Sequence, residues 1–363
     1  MSPSNPARGN VRLVAQTWLG TRLVLVGVAV CVMLAYGKTV DQAFGNWDVQ
    51  HFLGIAENGY VEQNSIAFFP GWPLILRGIS AIGVPAVLGG TILAGLLSIV
   101  ACAALYRMAG SAAAIAWLLA PTAVFTLVPY TESLFCAAAF WAWERASSKH
   151  WGAAAVLAAV ATSVRVSGLF LIGALFILAL TQKGGWGRRW LHALWLLIPA
   201  AVLGAYGVYT WVLTGDPLGW YHAQAAGWSR DFTWPWQSFM TTWGAALPGA
   251  NPTYPEWSWI FRGEIISMAV GLAVTVVCLV RKRWAEGAWV GVQVVAFSLS
   301  TWFMSVNRAV LLWFPLWTNI GDLSVRVGTE TVPRRVVLGV VVGLAVVLQG
   351  VWAWLFYTGQ WAS

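Results

Sequence analysis

Asp48 and His51 stand three residues apart in Gly45-Asn-Trp-Asp-Val-Gln-His-Phe-Leu-Gly-Ile-Ala-Glu-Asn-Gly-Tyr60. On a helix that spacing puts an acid and an imidazole on one face, here shared with Trp47 and Ile55. A carboxylate so placed can take a proton from a substrate. Spacing alone leaves a helix cap or a plain surface acid equally open. Asp-x-x-His is also half a metal site, but no third ligand is evident. Two arginines lie between hydrophobic runs, Arg165 in Ser163-Val-Arg-Val-Ser-Gly168 and Arg308 in Val306-Asn-Arg-Ala309. Cations at membrane depth pair or face a polar cavity, and two of them suit an anion such as phosphate. Glu132, in Pro129-Tyr-Thr-Glu-Ser133, reads as a helix-start acid or a working carboxylate. The stretch after Thr214-Gly-Asp216-Pro presents Trp220, Gln224 and Trp228 at i, i+4, i+8, followed by Arg230. Such a face suits a sugar ring, and equally a helix lying in the membrane interface.

The elements that must position these residues follow from composition. Of 363 residues, 59% are apolar and 9% charged, against about 45–50% and about 25% in a soluble domain. Too few charges remain to cover a water-facing globule. A nucleic-acid module, a disordered chain and a disulfide scaffold are excluded by the same figures. The chain reads as an all-α polytopic membrane protein, with the lipid bilayer as its solvent and no nucleic-acid partner. Cys31, Cys102, Cys136 and Cys278 are scattered in apolar runs and read as small core residues.

Apolar runs predict about eleven helices, near 16–36, 84–106, 111–128, 132–143, 152–164, 166–181, 191–213, 264–280, 287–306, 309–322 and 336–357. Residues 1–15 read as a cytoplasmic tail, and Leu19–Leu34 as a retained first span with no small-residue cleavage site. With the N-terminus inside, basic residues divide 15 inner, among them Arg8, Arg22, Arg107, Arg326 and Arg334, against 6 outer, as the positive-inside rule requires. Acids favour the outer side, including Asp41, Asp48, Glu57, Glu62, Glu132, Asp216, Asp231, Glu256 and Glu264, with Glu330 among the few inner ones. Two long loops, 37–83 and 214–263, also face outward. Long structured loops tend to carry function. In the first of them Ala67-Phe-Phe-Pro-Gly-Trp-Pro73 has two prolines three apart, which a helix interior does not tolerate, and predicts a rigid aromatic re-entrant segment. Arginine outnumbers lysine 17 to 4, and the expected setting is the plasma membrane of a bacterium.

Taken in order, these segments resemble the PIG-V type of mannosyltransferase. Trp47, Asp48, His51, Phe52, Ile55, Ala56, Gly59 and Tyr60 are similar to that family's first-loop motif. Ala67-Phe-Phe-Pro70 with Trp72-Pro73, Tyr130-Thr-Glu-Ser-Leu-Phe135 and Thr162-Ser-Val-Arg-Val-Ser-Gly168 resemble the motifs that follow. Gly215-Asp-Pro-Leu218 with Ala223-Gln224 and Trp228-x-Arg230 resembles the long-loop motif, and Arg308 with Phe314-Pro-Leu316 the late one. The chain departs from the pattern at Val49, Gly71 and Ala309, where the family commonly has Ser, Leu and an aromatic.

The resemblance implies a single integral-membrane domain of GT-C glycosyltransferase fold over 1–363, with an active site on the extracytoplasmic face. It implies a polyprenyl-phosphate-mannose donor, a glycolipid or glycan acceptor, and no cofactor or metal. It makes Asp48 the general base of an inverting displacement. His51 would orient Asp48 or contact phosphate or sugar, beside Trp47, Tyr60 and Gln224. Arg165, Arg230 and above all Arg308 would neutralise the leaving phosphate. Glu132 and Asp216 would position sugar hydroxyls or hold loops. A transporter or flippase of lipid-linked sugars is the competing class. It shares the spans and the buried arginines, but no internal repeat of the transporter kind is visible.

Overall fold

A computed structural model describes residues 9–327 and 332–362. Arg8, Glu330 and the first eight residues of the expected tail lie outside the described residues, as do the side chains of Arg326 and Arg334. Every regular element among the described residues is helical. Five helices are long and apolar enough to cross a membrane: Val11–Tyr36, Ala86–Leu118, Trp186–Thr214, Glu256–Val280 and Arg335–Thr358. Trp151–Thr162 and Ser167–Thr181 are apolar but shorter. Helices satisfy their own backbone polar groups, so an apolar chain of this composition folds as helices in lipid.

The chain packs as two compact units. One takes residues up to Gln50, Gly78–Phe140 and Phe314–Ala362; the other takes His51–Arg77 and Trp141–Trp313.

In the first unit, Val11–Tyr36 packs on Ala86–Leu118 and on the C-terminal helix Val332–Thr358. The expected helices 84–106 and 111–128 are here one 33-residue element, Ala86–Leu118, broken at Ala109 (φ −147°) and Gly110 (φ 80°). Gly321, from the helix Phe314–Val327, comes so close to this break that a Cβ would lie 2.6 Å from the Ala109 carbonyl oxygen. Only about 12 Å of helix follows the break, at 1.5 Å per residue. A turn and the short 3₁₀ helix Ala123–Thr126 carry the chain on to Glu132. Gln349 caps the buried C-terminal end of the long helix, its amide donating to the Leu118 (2.6 Å) and Ala120 (3.1 Å) carbonyls. Residues 122–140 are buried throughout, which is the condition under which non-helical backbone is tolerated at membrane depth.

Arg22, one of the basic residues assigned to the inner side, is buried within the helix Val11–Tyr36, 5% exposed. Its guanidinium donates to the Thr126 carbonyl (3.1 Å) and hydroxyl (2.9 Å). A buried cation in an apolar helix must find such partners.

In the second unit, Ser167–Thr181 and Glu256–Val280 both pack on Trp284–Ser298. Small residues let the backbones approach. At Gly271 a Cβ would meet the Trp313 ring at 2.8 Å and Val294 at 2.6 Å. The helix expected from 264 begins at Glu256, so Glu264 does not stand at the helix's outer end. It lies two turns inside the helix and is wholly buried. The two long segments expected to face outward are helical too. Residues 37–83 hold Val40–Phe44, Asp48–Asn58, the 3₁₀ turn Gln63–Ala67 and Gly71–Ala81; residues 214–263 hold Gly219–Trp228 and Pro235–Ala246. Pro73 is accommodated in the first turn of Gly71–Ala81, where a helix has no use for its missing N–H.

Candidate active site

Asp48 opens the helix Asp48–Asn58 at the end of a tightly held turn. Trp47 has φ 57°, a left-handed conformation uncommon for a bulky residue. The first unit holds it there. The Trp47 indole donates to the Gln360 carbonyl (3.0 Å), and the Asn46 amide to the Phe356 carbonyl (2.9 Å). Lys38 donates to the Tyr357 carbonyl (3.0 Å). These carbonyls lie at or just past the C-terminal end of Val332–Thr358, where a helix leaves its acceptors unsatisfied. The Asp48 N–H donates to the Tyr130 hydroxyl (3.1 Å). Tyr130 itself packs at a tilt against Phe125 and edge-on to Phe356. Two residues on, Glu132 starts the helix Glu132–Ser147 and is fully buried. The first unit thus joins the turn carrying Asp48 to the Tyr130-Thr-Glu-Ser segment.

In the second unit His51, one turn beyond Asp48 in the same helix, stacks on Phe68 with centroids 4.9 Å apart. Trp228 closes the triangle, edge-on to both His51 (5.7 Å) and Phe68 (5.2 Å). The aromatic face of Gly219–Trp228 therefore packs on residues 66–68. The Trp220 indole and the Gln224 amide both donate to the Ala67 carbonyl at 3.2 Å. Tyr60 donates to the Phe68 carbonyl (2.8 Å), and Tyr206 to those of Ile66 (2.6 Å) and Phe68 (2.8 Å). Burial pushes the Tyr60 phenol well above its usual range, so it acts as a neutral donor. Tyr206 was not singled out from the sequence. A tyrosine inside an apolar run carries no local signal of a carbonyl partner 140 residues away.

Arg165 lies in the loop between Trp151–Thr162 and Ser167–Thr181, half-buried. The turn Pro70–Gly71 meets that loop, the Gly71 N–H donating to the Ser163 carbonyl at 2.8 Å. A Cβ on Gly71 would fall 2.5 Å from the Ser163 hydroxyl, and one on Gly168 2.4 Å from the Thr162 Cα. Position 71 therefore leaves no room for a larger side chain. Arg230 donates to the Met304 carbonyl (3.4 Å) and lies over the Phe297 ring. It is therefore tied to the segment that carries Arg308, itself half-buried in Val306–Ala309.

Asp216 turns inward on its own loop. It accepts from the Leu218 N–H (2.8 Å) and pairs with His222. The His222 hydrogen bond, then the Leu218 amide, hold its carboxyl below the ordinary range. Among the described residues no three His, Cys, Asp or Glu side chains gather as a metal site.

Residues 25–183 match the family described as Mannosyltransferase (PIG-V). The chain is 31% identical to the GPI alpha-1,6-mannosyltransferase 2 of Rattus norvegicus over 166 residues, 39% of this chain and 34% of that one. It is 32% identical to the human protein of the same name over 147 residues, covering 35% and 30%. It is also 32% identical to the GPI mannosyltransferase 2 of Cryptococcus neoformans over 144 residues, covering 34% of each. The chain spans about a third of the length of these curated relatives. No solved structure matches it significantly. The matched stretch contains Trp47, Asp48, His51, Tyr60, Glu132 and Arg165; Asp216, Gln224, Arg230 and Arg308 lie beyond it.

Proposed function

We propose, proceeding from a chain whose residues 25–183 match the family described as Mannosyltransferase (PIG-V), that this protein moves a mannosyl group from polyprenyl-phosphate-mannose to a hydroxyl of a glycolipid or glycan. The fold is then a GT-C membrane domain of about eleven crossings, in a bacterial plasma membrane with its N-terminus in the cytoplasm. The site faces the extracytoplasmic side, where a cytosolic nucleotide sugar has no access and a lipid-carried sugar does.

One observation carries the reading. The Asp48 N–H is bonded to the Tyr130 hydroxyl, so two of the segments that resemble the family's motifs meet at the residue that bears the candidate carboxylate. In the proposed step the acceptor oxygen attacks the anomeric carbon. Asp48 takes the acceptor proton, and the bond from that carbon to the phosphate oxygen breaks with its electron pair leaving on the lipid phosphate. His51, held flat on Phe68, orients Asp48 or meets the phosphate or sugar. Arg308, Arg230 and Arg165 receive the charge that develops on the leaving group. Glu132 contacts sugar hydroxyls or holds the Tyr130 segment.

The test is transfer of radiolabelled mannose from polyprenyl-phosphate-mannose in membranes containing wild-type protein or Asp48→Asn, with a crude lipid and glycan extract as acceptor. The expected loss is about 10²–10⁴-fold, the usual contribution of a general base. Equal product from both proteins removes Asp48 from the mechanism. No product from folded wild-type protein overturns the assigned donor or acceptor and brings lipid-sugar transport to the front.

A further inference from the structure

Glu264 is completely buried inside a candidate membrane span, where a carboxylate is costly and calls for a reason. Both its oxygens are occupied by one turn of backbone. Oε1 accepts from the Ser305 N–H (3.0 Å), and Oε2 from the N–H groups of Val306 (2.7 Å) and Asn307 (3.0 Å). The turn is strained, with Ser305 at φ 66°. It begins a helix of only four residues, Val306–Ala309, too short to hold itself. The same helical face grips it twice more. Ser267 donates to the Asn307 side-chain oxygen (2.9 Å), and the Asn307 amide donates to the Ile260 carbonyl (3.2 Å). A Cβ on Gly263 would lie 2.9 Å from that Asn307 oxygen, so the contact is closed to any larger residue. Arg308 follows directly, and Arg230 is bonded to Met304, the residue before the turn. Two guanidinium groups are thus registered to backbone that one buried carboxylate fixes.

We infer that Glu264 is a positioning residue for anion recognition: through the 304–307 turn it sets Arg308 and Arg230 to receive a lipid-linked phosphate. The inference rests on the proposed function for the identity of that phosphate. Glutamine is the discriminating substitute. It has nearly the same shape, but either orientation of its amide turns an NH₂ toward a backbone N–H that needs an acceptor.

The experiment is calorimetric titration of the purified full-length protein in nanodiscs with a polyprenyl phosphate lacking sugar. Kd is measured for wild type, Glu264→Gln, Arg230→Ala/Arg308→Ala, and all three changes together. A small misplacement of binding groups is enough for large losses, so Glu264→Gln is expected to weaken binding about tenfold. In the arginine-less background it should have less than about a twofold effect, because a positioning residue has then nothing left to position. Ser267→Ala loosens the same turn by one hydrogen bond and, if Glu264→Gln does not fold, takes its place in the comparison. Equal losses in both backgrounds overturn the positioning role alone. An unchanged Kd without the two arginines overturns their phosphate assignment. No binding by wild type overturns the proposed donor as well.

Discussion

A carboxylate's use depends on what donates to it, and three acids in this chain differ on that point. Glu264 is surrounded by backbone N–H groups and buried; Asp216 is anchored in an exposed loop; Asp48 is held through its main chain by Tyr130. The Asp216 anchor has a pH signature. Its folded pKa is depressed by His222 and the Leu218 amide, below the unfolded value of about 3.9. The anchor therefore contributes stability above that unfolded value and loses it as pH falls through the lower folded one. Hydrogen exchange at the Leu218 amide should show protection at neutral pH that persists past pH 4 and then disappears. His222→Ala should move that loss upward in pH; an unmoved profile would show that His222 does not set the carboxyl. Asp216 was legible from Gly-Asp-Pro because its partners are two and six residues away. Glu264 was not, since its partners lie more than forty residues along the chain.

At the scale of elements, close backbone approach explains what hydropathy could not. The Arg165 loop is pinned between Gly71 and Gly168, where a Cβ would overlap Ser163 or Thr162. Gly168→Ala should destabilise by about 1–3 kcal/mol, the range for overpacking, because the overlapped atom is a backbone Cα that cannot rotate away. Gly71→Leu should likewise lower stability, since a Cβ there already meets the Ser163 hydroxyl at 2.5 Å. Thermal unfolding of the purified variants measures both, and wild-type stability for either would show that the loop yields. The helices themselves were legible wherever apolar runs were long, as at Val11–Tyr36 and Ser167–Thr181. Their limits were not. The helix Glu256–Val280 begins in Glu-Trp-Ser-Trp-Ile-Phe-Arg, a mixed stretch in which hydropathy starts the helix too late, so the buried Glu264 was placed at the helix's outer end. The aromatic spacing of 220–228 correctly gave a helix. It could not give its partner, residues 66–68, because periodicity reports a face and not what covers it.

Across the whole molecule, the charge asymmetry and the helical pattern make one joint statement about sidedness. The five long apolar helices leave room for shorter crossings, and the broken stretch 111–130, in which no residue is exposed and burial is complete from 122 on, can serve as one. If the basic loops are cytoplasmic, Glu62 and Thr253 face the outside, while Lys183 and Lys282 face the inside. All four are exposed, so cysteines placed there are accessible to a reagent on the correct side. The native thiols interfere little. Cys102, Cys136 and Cys278 are buried, and the exposed Cys31 lies within a candidate span where a charged reagent does not reach. A membrane-impermeant maleimide applied to intact cells should therefore label Glu62→Cys and Thr253→Cys. Lys183→Cys and Lys282→Cys should react only after the membrane is opened. Labelling of all four from outside would break the alternation. The reverse pattern would put Asp48 on the cytoplasmic face, where nucleotide sugars are accessible and the argument for a lipid-carried donor fails. The labelling result thus decides the class of donor before any sugar is transferred.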